Sequence, residues 1–334
     1  MLASVLLVGW GWKIDDYLDA VEEIEQLGFH ACYMGDDLFA HQADAAVGTF
    51  EPWTMLPAMA MRTSTLLLGS MVSPVERRHP GLFAKMTTTA DLLSGGRIIV
   101  GMGAGNAPEQ QRSLGIPVRP AAERVEMLTE ELEILKSYWT KPRTDFAGDH
   151  YTINDGICEP KPCSPGGPDL LLGVQGARMI ELAARHADRV NVLAARTRSI
   201  AEVVERVRRR ADEHGRDGSA IVTSRLATIV LTEDSVDTPE ARQAAVEARA
   251  SEIGMDPATL VREVDEWIYS YVGPVAQLAG WVNESTTDVG IDELVISMDT
   301  IDTVDYATTM NGLRTFAAAV LNTTALNETS SNDQ

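Results

Sequence analysis

The chain reads as an α/β protein in which strand and helix patterns alternate eight times, and that count predicts a (β/α)8 TIM barrel. Three observations lead there. Short, unbroken aliphatic runs such as Thr65–Val72 and Arg97–Met102 have the pattern of strands buried on both faces. Segments with helical spacing lie between such runs. Small residues gather where two strands end, in Ser70-Met71-Val72-Ser73-Pro74 and Gly103-Ala104-Gly105-Asn106. Small residues at the carboxyl ends of parallel strands let a ligand approach the backbone. A doubly wound sheet is the alternative, but it usually has fewer strands at this length.

The strand candidates, in order, are Ser4–Val8, His30–Met34, Thr65–Val72, Arg97–Met102, Asp169–Gly173, Arg189–Leu193, Thr223–Leu231 and Ile291–Met298. The helical candidates are Ile14–Leu27, Glu51–Arg62, Pro80–Leu93, Ala121–Trp139, Ala177–His186, Ser199–Glu213, Pro274–Asn283 and Thr303–Leu321. In the first helix Leu18, Val21, Ile24 and Leu27 recur every three residues; in the fourth, Val125, Leu128, Leu132, Leu135 and Trp139 form one stripe. Pro80 opens the third helix and Ser94-Gly95-Gly96 ends it. Two insertions interrupt the rhythm, at about 107–168 after strand four and about 232–272 after strand seven. The first should hold one helix and a hairpin, Phe146–Ile153, turning at Gly148-Asp149. Both leave the carboxyl ends of strands, where walls and lids of a barrel site are built. Residues 1–321 are expected to form a single domain, with 322–334 a frayed polar tail.

Composition narrows the partners. The 334 residues carry a formal charge of −21, so nucleic acid and anionic membrane are poor partners, since both need a basic footprint. Only five of the 28 basic residues are lysine. The acidity fits either solvated helix faces or adaptation to salt. Three cysteines without a framework fit a reducing cytoplasm. Cys158 and Cys163 read as loop residues, and no metal site is expected. Leu2–Trp12 reads as a buried strand rather than a signal peptide, and no apolar run is long enough to span a membrane. The cluster Arg206, Arg208, Arg209, Arg210 reads as a solvated face.

One loop suits an anion. Gly173-Val174-Gln175-Gly176-Ala177-Arg178 follows strand five and opens a helix, so free N–H groups and the positive helix end suit a phosphate.

The motifs L-G-S-M-V-S-P-V-E-R-R-H-P, L-L-S-G-G-R-I-I-V-G-M-G-A-G and A-A-R-H-A-D-R-V stand in this order, supported by G-D-D-L-F, E-P-W-T-M-L-P-A-M-A and G-I-D-E-L-V-I-S-M. With them the chain, from about Ser4 to Leu321, resembles the luciferase-like flavin and deazaflavin oxidoreductases, and within these the F420-using branch. The resemblance implies a (β/α)8 barrel, often a homodimer, binding coenzyme F420 or FMN at its carboxyl face. It implies a β-bulge with a non-proline cis peptide at Met71–Val72, behind the cofactor's central ring. It implies cofactor contacts from Ser70, Met71, Val72, Gly105, Asn106, Gly173, Val174, Gln175, Gly176, Ala177 and Arg178, the last six around the phosphate.

The chain also departs from the resemblance. Asp37 stands where relatives often have histidine, and a carboxylate is no neutral donor at pH 7. It can instead bind a substrate amine or hydroxyl, or act as a base. Asn106 stands where some sugar-phosphate dehydrogenases have a catalytic glutamate; an amide orients but transfers no proton. Asp37 and Asn106 are therefore the catalytic candidates. His41 and Glu109 are expected on the surface; Glu51 and Trp53 open the second helix near the same face, with Trp53 in packing or, alternatively, walling the pocket; and Arg77, Arg78 and His79 either position the loop and contact the cofactor's polar tail or form surface ion pairs. The expected activity is hydride exchange between F420 and a small organic substrate. The alternatives are an FMN monooxygenase with a partner flavin reductase, and a flavin-binding protein without turnover.

Overall fold

A computed structural model describes residues 1–39, 47–105, 107–192, 200–232, 247, 271–298 and 305–321. Eight parallel strands close on themselves. They are β1 (Leu2–Leu6), β2 (Ala31–Met34), β3 (Leu67–Ser70), β5 (Ile98–Gly103), β8 (Asp169–Val174), β9 (Arg189–Val192), β10 (Val222–Thr232) and β12 (Glu293–Ser297). Each pairs with the next, and β12 pairs back onto β1 with Leu2 opposite Glu293. The expected (β/α)8 barrel is what the chain forms.

The outer layer is α1 (Ile14–Gln26), α2 (Pro52–Arg62), α3 (Pro80–Ser94), α5 (Ala121–Thr140), α6 (Ala177–His186), α7 (Ile200–Glu213), α8 (Val275–Ser285) and α9 (Tyr306–Phe316). The main core lies between these helices and the strands. Helix α1 contributes Tyr17, Ala20, Val21 and Ile24 to it. Inside the barrel, Ala31, Tyr33, Ile99, Leu171 and Val295 pack as a second cluster, with Met71 and Val72 against it. Alternation along each strand separates the two cores: in β2, Cys32 and Met34 face the helices while Ala31 and Tyr33 face inward.

Local chemistry sets the element ends. Pro80 fills the first turn of α3, and Gly95 closes it at φ 71° in the left-handed region, where a side chain is disfavoured. Gly96 follows at φ 88° and swings Arg97 back under the barrel. There the guanidinium donates to the carbonyls of Ala60, Thr63, Leu66 and Ser94 and to the Thr63 hydroxyl, all within 2.8–3.0 Å. At the amino end of the barrel Glu293 is fully buried. It accepts from Ser4 Oγ at 2.5 Å, Tyr33 OH at 3.1 Å and Arg189 Nη1 at 2.8 Å.

Several expectations need correction. Strand three does not run unbroken to Val72: β3 stops at Ser70, and Ser73–Pro74 resumes pairing as β4. The first insertion holds two helices, because α4 (Pro108–Ser113) precedes α5. Its hairpin is longer than expected, with strands β6 (Thr144–Ala147) and β7 (Thr152–Gly156). A further strand, β11 (Tyr271–Pro274), pairs with the end of β10, so α8 starts after Pro274. Arg208, within the cluster expected on a solvated face, is half-buried, and its Nη2 donates to Asp292 Oδ2 at 2.8 Å. The expectations for His41, Asn106, Leu193, Ser199, 301–304, most of 232–272 and the tail 322–334 fall outside the described residues. No described helix is long and apolar enough to cross a membrane.

Candidate active site

The site is built around the end of strand three. Leu68 and Gly69 pair with Ile98 and Ile99; pairing resumes with Ser73 opposite Met102. Three residues, Ser70 to Val72, therefore face two, Val100 and Gly101, and the extra residue makes a β-bulge. The Met71–Val72 peptide is cis, as the resemblance implied.

The neighbouring strand is shaped to accept this bulge. A Cβ on Gly101 would lie 1.7 Å from the Ser70 carbonyl oxygen, and one on Gly103 would lie 2.8 Å from Val72 Cγ2. The alternating glycines of I-I-V-G-M-G are thus spaces filled by the bulge. The bulge is also tied on its flanks. Ser70 Oγ donates to the Gly101 carbonyl at 2.9 Å, and Met71 N–H donates to the Met34 carbonyl at 2.9 Å. Trp53 is buried, and its indole N–H donates to Ser73 Oγ at 2.8 Å. Trp53 packs edge-on against Phe83, so α2 and α3 both support the turn.

A cavity of about 580 Å³ opens over the bulge at the carboxyl face, a size usual for a small-molecule or cofactor site. Of the expected site residues it brings together Asp37, Met71, Val72, Gly105, Gly173 and Gln175. Ser70 lies behind the wall with its hydroxyl committed to Gly101. Val174 is buried in its strand. Gly176, Ala177 and Arg178 are exposed at the start of α6, beside the cavity rather than on its lining. Leu6, Arg77, Arg124, Met179, Asn191 and Leu226 are among the other wall residues. A recess of about 70 Å³ adjoins it, sharing Leu6, Asp37 and Met71 and lined further by Trp10, Met34 and Phe50.

Charge at the rim is organised in pairs. Asp36 has a fully buried side chain and takes Arg77 Nη1 at 3.0 Å and Arg78 Nη1 at 2.5 Å. Arg78 reaches on to Glu51 Oε1 at 2.5 Å, while Glu51 Oε2 caps α2 through Thr54 N–H at 2.7 Å. Burial pushes the Glu51 carboxyl up, but Thr54 and Arg78 outweigh it, so its pKa lies below the ordinary value. Burial lowers Arg78, and Asp36 and Glu51 more than reverse that. These arginines are thus part of buried ion pairs, not of the surface. His79 caps α3 through Gly81 N–H, and Glu109 is exposed, as expected.

Three polar groups near the site carried no motif. Gln110 on α4 is fully buried and donates to Asp37 Oδ1 at 3.0 Å. Arg124 on α5 donates to the carbonyls of Ala104 and Gly105 at 2.7 and 3.0 Å and so holds the loop after β5. Glu131 on α5 is buried, and that burial, only partly opposed by Arg78, holds its pKa well above the usual range. A buried polar residue in an amphipathic stretch was the only signal available, and it does not separate core from site.

Comparison with known proteins follows the same lines. The chain is 28 % identical over 177 residues to an F420-dependent glucose-6-phosphate dehydrogenase of Microbacterium testaceum, which covers 52 % of this chain and 51 % of that one. The chain thus spans about half the length of the curated relatives it matches. Among solved structures it superposes on an F420-dependent secondary alcohol dehydrogenase bound to an F420–acetone adduct, with TM-score 0.76, 18 % identity and 96 % and 98 % of the two chains covered. It also superposes on a riboflavin lyase with a modified FMN and riboflavin, with TM-score 0.79, 15 % identity and 98 % and 92 % covered. At these identities the superpositions speak for the fold. The luciferase-like monooxygenase model matches residues 9–278, most of the chain, and the chain belongs to that family.

Proposed function

We propose that the chain is an oxidoreductase that binds coenzyme F420 in the 580 Å³ cavity and acts on a small organic substrate, with Asp37 handling the proton. The bulge carries this reading: Ser70–Val72 is held by two glycines, a tryptophan and two hydrogen bonds, and its Met71 and Val72 form the cavity floor.

The residues present fit such a cofactor. Met71 and Val72 offer a firm, flat support for a ring. Gly176, at φ 82° and with open space around its Cα, starts α6 without a side-chain cap, leaving amide N–H groups for a phosphate, with Arg178 nearby. Arg77 lines the cavity and brings a guanidinium, held by Asp36 and Gln110, to its wall. When bound, the deazaflavin supplies a hydride acceptor or donor. The protein's own task is positioning and proton transfer. Asp37 lies on the wall shared by the cavity and the recess, where a substrate hydroxyl or amine can reach it. Trp10, Met34 and Phe50 give the recess an apolar lining for a short substituent.

The similarity to an F420-dependent dehydrogenase in sequence supports F420 over FMN. The match to the luciferase-like monooxygenase model supports the second reading, an FMN monooxygenase served by a separate reductase. Asp37→Asn tests the proton role. Cofactor affinity should hold while turnover falls about 10²–10⁴-fold, the usual weight of a general base. Unchanged turnover in Asp37→Asn would remove Asp37 from the chemistry.

A further inference from the structure

We infer that Gln110 is the positioning residue of the site: its amide fixes the Asp37 carboxylate as a proton acceptor and ties it to the buried Asp36–Arg77 pair. The inference rests on the reading of Asp37 as the proton-handling group.

Glutamine is mostly an exposed residue, yet Gln110 is fully buried. A primary amide offers two donors and two acceptor lone pairs, and here all four are used. Oε1 accepts from Leu38 N–H at 3.1 Å and Arg77 Nη2 at 2.5 Å. Nε2 donates to Asp37 Oδ1 at 3.0 Å and to the Phe39 carbonyl at 3.3 Å. One side chain therefore holds three consecutive residues of the loop after β2. The amide has only one workable orientation: turned over, its NH2 would face a guanidinium and an N–H, and its oxygen a carboxylate and a carbonyl.

The partners give the amide a chemical consequence. Arg77 pairs with Asp36 through Nη1 and with Gln110 through Nη2. A cation on the amide oxygen polarises the N–H bonds on the other side, and the low dielectric strengthens the effect. A donor on Asp37 Oδ1 favours the ionised form of that carboxyl. Among the described residues, the charged groups around the cluster include Asp36 on the same loop, Arg77 and Arg78 before α3, Glu51 at the start of α2, and, across the cavity, Arg124 with its partner Glu76. Asp36 is neutralised by both arginines, so its negative charge does not oppose ionisation of Asp37 strongly.

The test is a carbon-13 titration of the Asp37 carboxyl in the full chain without cofactor, assigned with Asp37→Asn. Gln110→Glu keeps the length and the acceptor oxygen but places a second carboxylate where the donor stood, so the two carboxyls share a proton. The Asp37 midpoint should rise by about 1 pH unit or more against wild type. Gln110→Met keeps the volume and removes every hydrogen bond; the midpoint should rise by a smaller amount, and it is the variant to read where Gln110→Glu does not fold. An Asp37 midpoint within about 0.3 unit of wild type in the folded variants overturns the inference, since a purely structural glutamine would leave it in place. That failure is separate from the failure of the proton role, which Asp37→Asn turnover reads independently.

Discussion

At the scale of single residues, a few atoms leave no room for change. Gly101 is the sharpest case. A methyl group there meets the Ser70 carbonyl oxygen at 1.7 Å, and the obstacle is backbone, so no rotamer relieves it. Gly101→Ala should cost about 1–3 kcal/mol of stability, as overpacking does, and weaken cofactor binding with it; thermal unfolding and a cofactor titration measure both. A histidine makes a different prediction. Burial, helped by Arg216, Lys136 and Arg185, lowers the His186 pKa from 6.5 to about 4. A histidine depressed in the folded state contributes stability that is complete above its unfolded pKa and is lost as pH falls through the folded one. Wild type should therefore lose stability between pH 6.5 and about 4, and His186→Gln should lose less over the same window in chemical denaturation. Equal losses would mean that His186 does not titrate this way. Asp37 was legible as a departure from the resemblance. Gln110 was not, because a glutamine in a six-residue helix has no pattern that separates it from surface.

At the scale of elements, strands and helices were legible wherever periodicity and end signals agreed. Pro80 and Gly95-Gly96 bound α3 as the sequence predicts, and the bulge was legible only through the motif around Met71. β11 was not legible, since Tyr271–Pro274 is too short to show alternation and depends on pairing with the far end of β10. The amino end of the barrel rests on Glu293 and Arg189, both buried and 2.8 Å apart. Glu293→Leu should cost about 3–5 kcal/mol, because it leaves the guanidinium buried without that partner. Adding Arg189→Met should recover a large part of the loss, since an apolar pair avoids desolvating two charges. Failure of the double variant to recover would show that Ser4, Tyr33 and the other partners, not the ion pair, set the cost.

At the scale of the whole molecule, the barrel brings residues from β2, β3, β5 and β8 to one mouth, which is why candidates scattered from Asp37 to Gln175 line one cavity. The surplus of acid over base, −21, is a property of the whole surface. Ion pairs such as Arg62–Asp19 and Arg314–Glu23 use only part of it. Added salt should therefore raise the unfolding temperature by screening self-repulsion, and a flat response up to about 1 M would place the charge in solvated faces alone. In the proposed function the bulge and its cavity hold a deazaflavin. The direct measurement is titration of the purified chain with F420 and with FMN, followed by absorbance and fluorescence. F420 should bind saturably and about tenfold or more tighter than FMN, a difference of ~1.4 kcal/mol. Tighter binding of FMN, or no saturation by either cofactor, would contradict it.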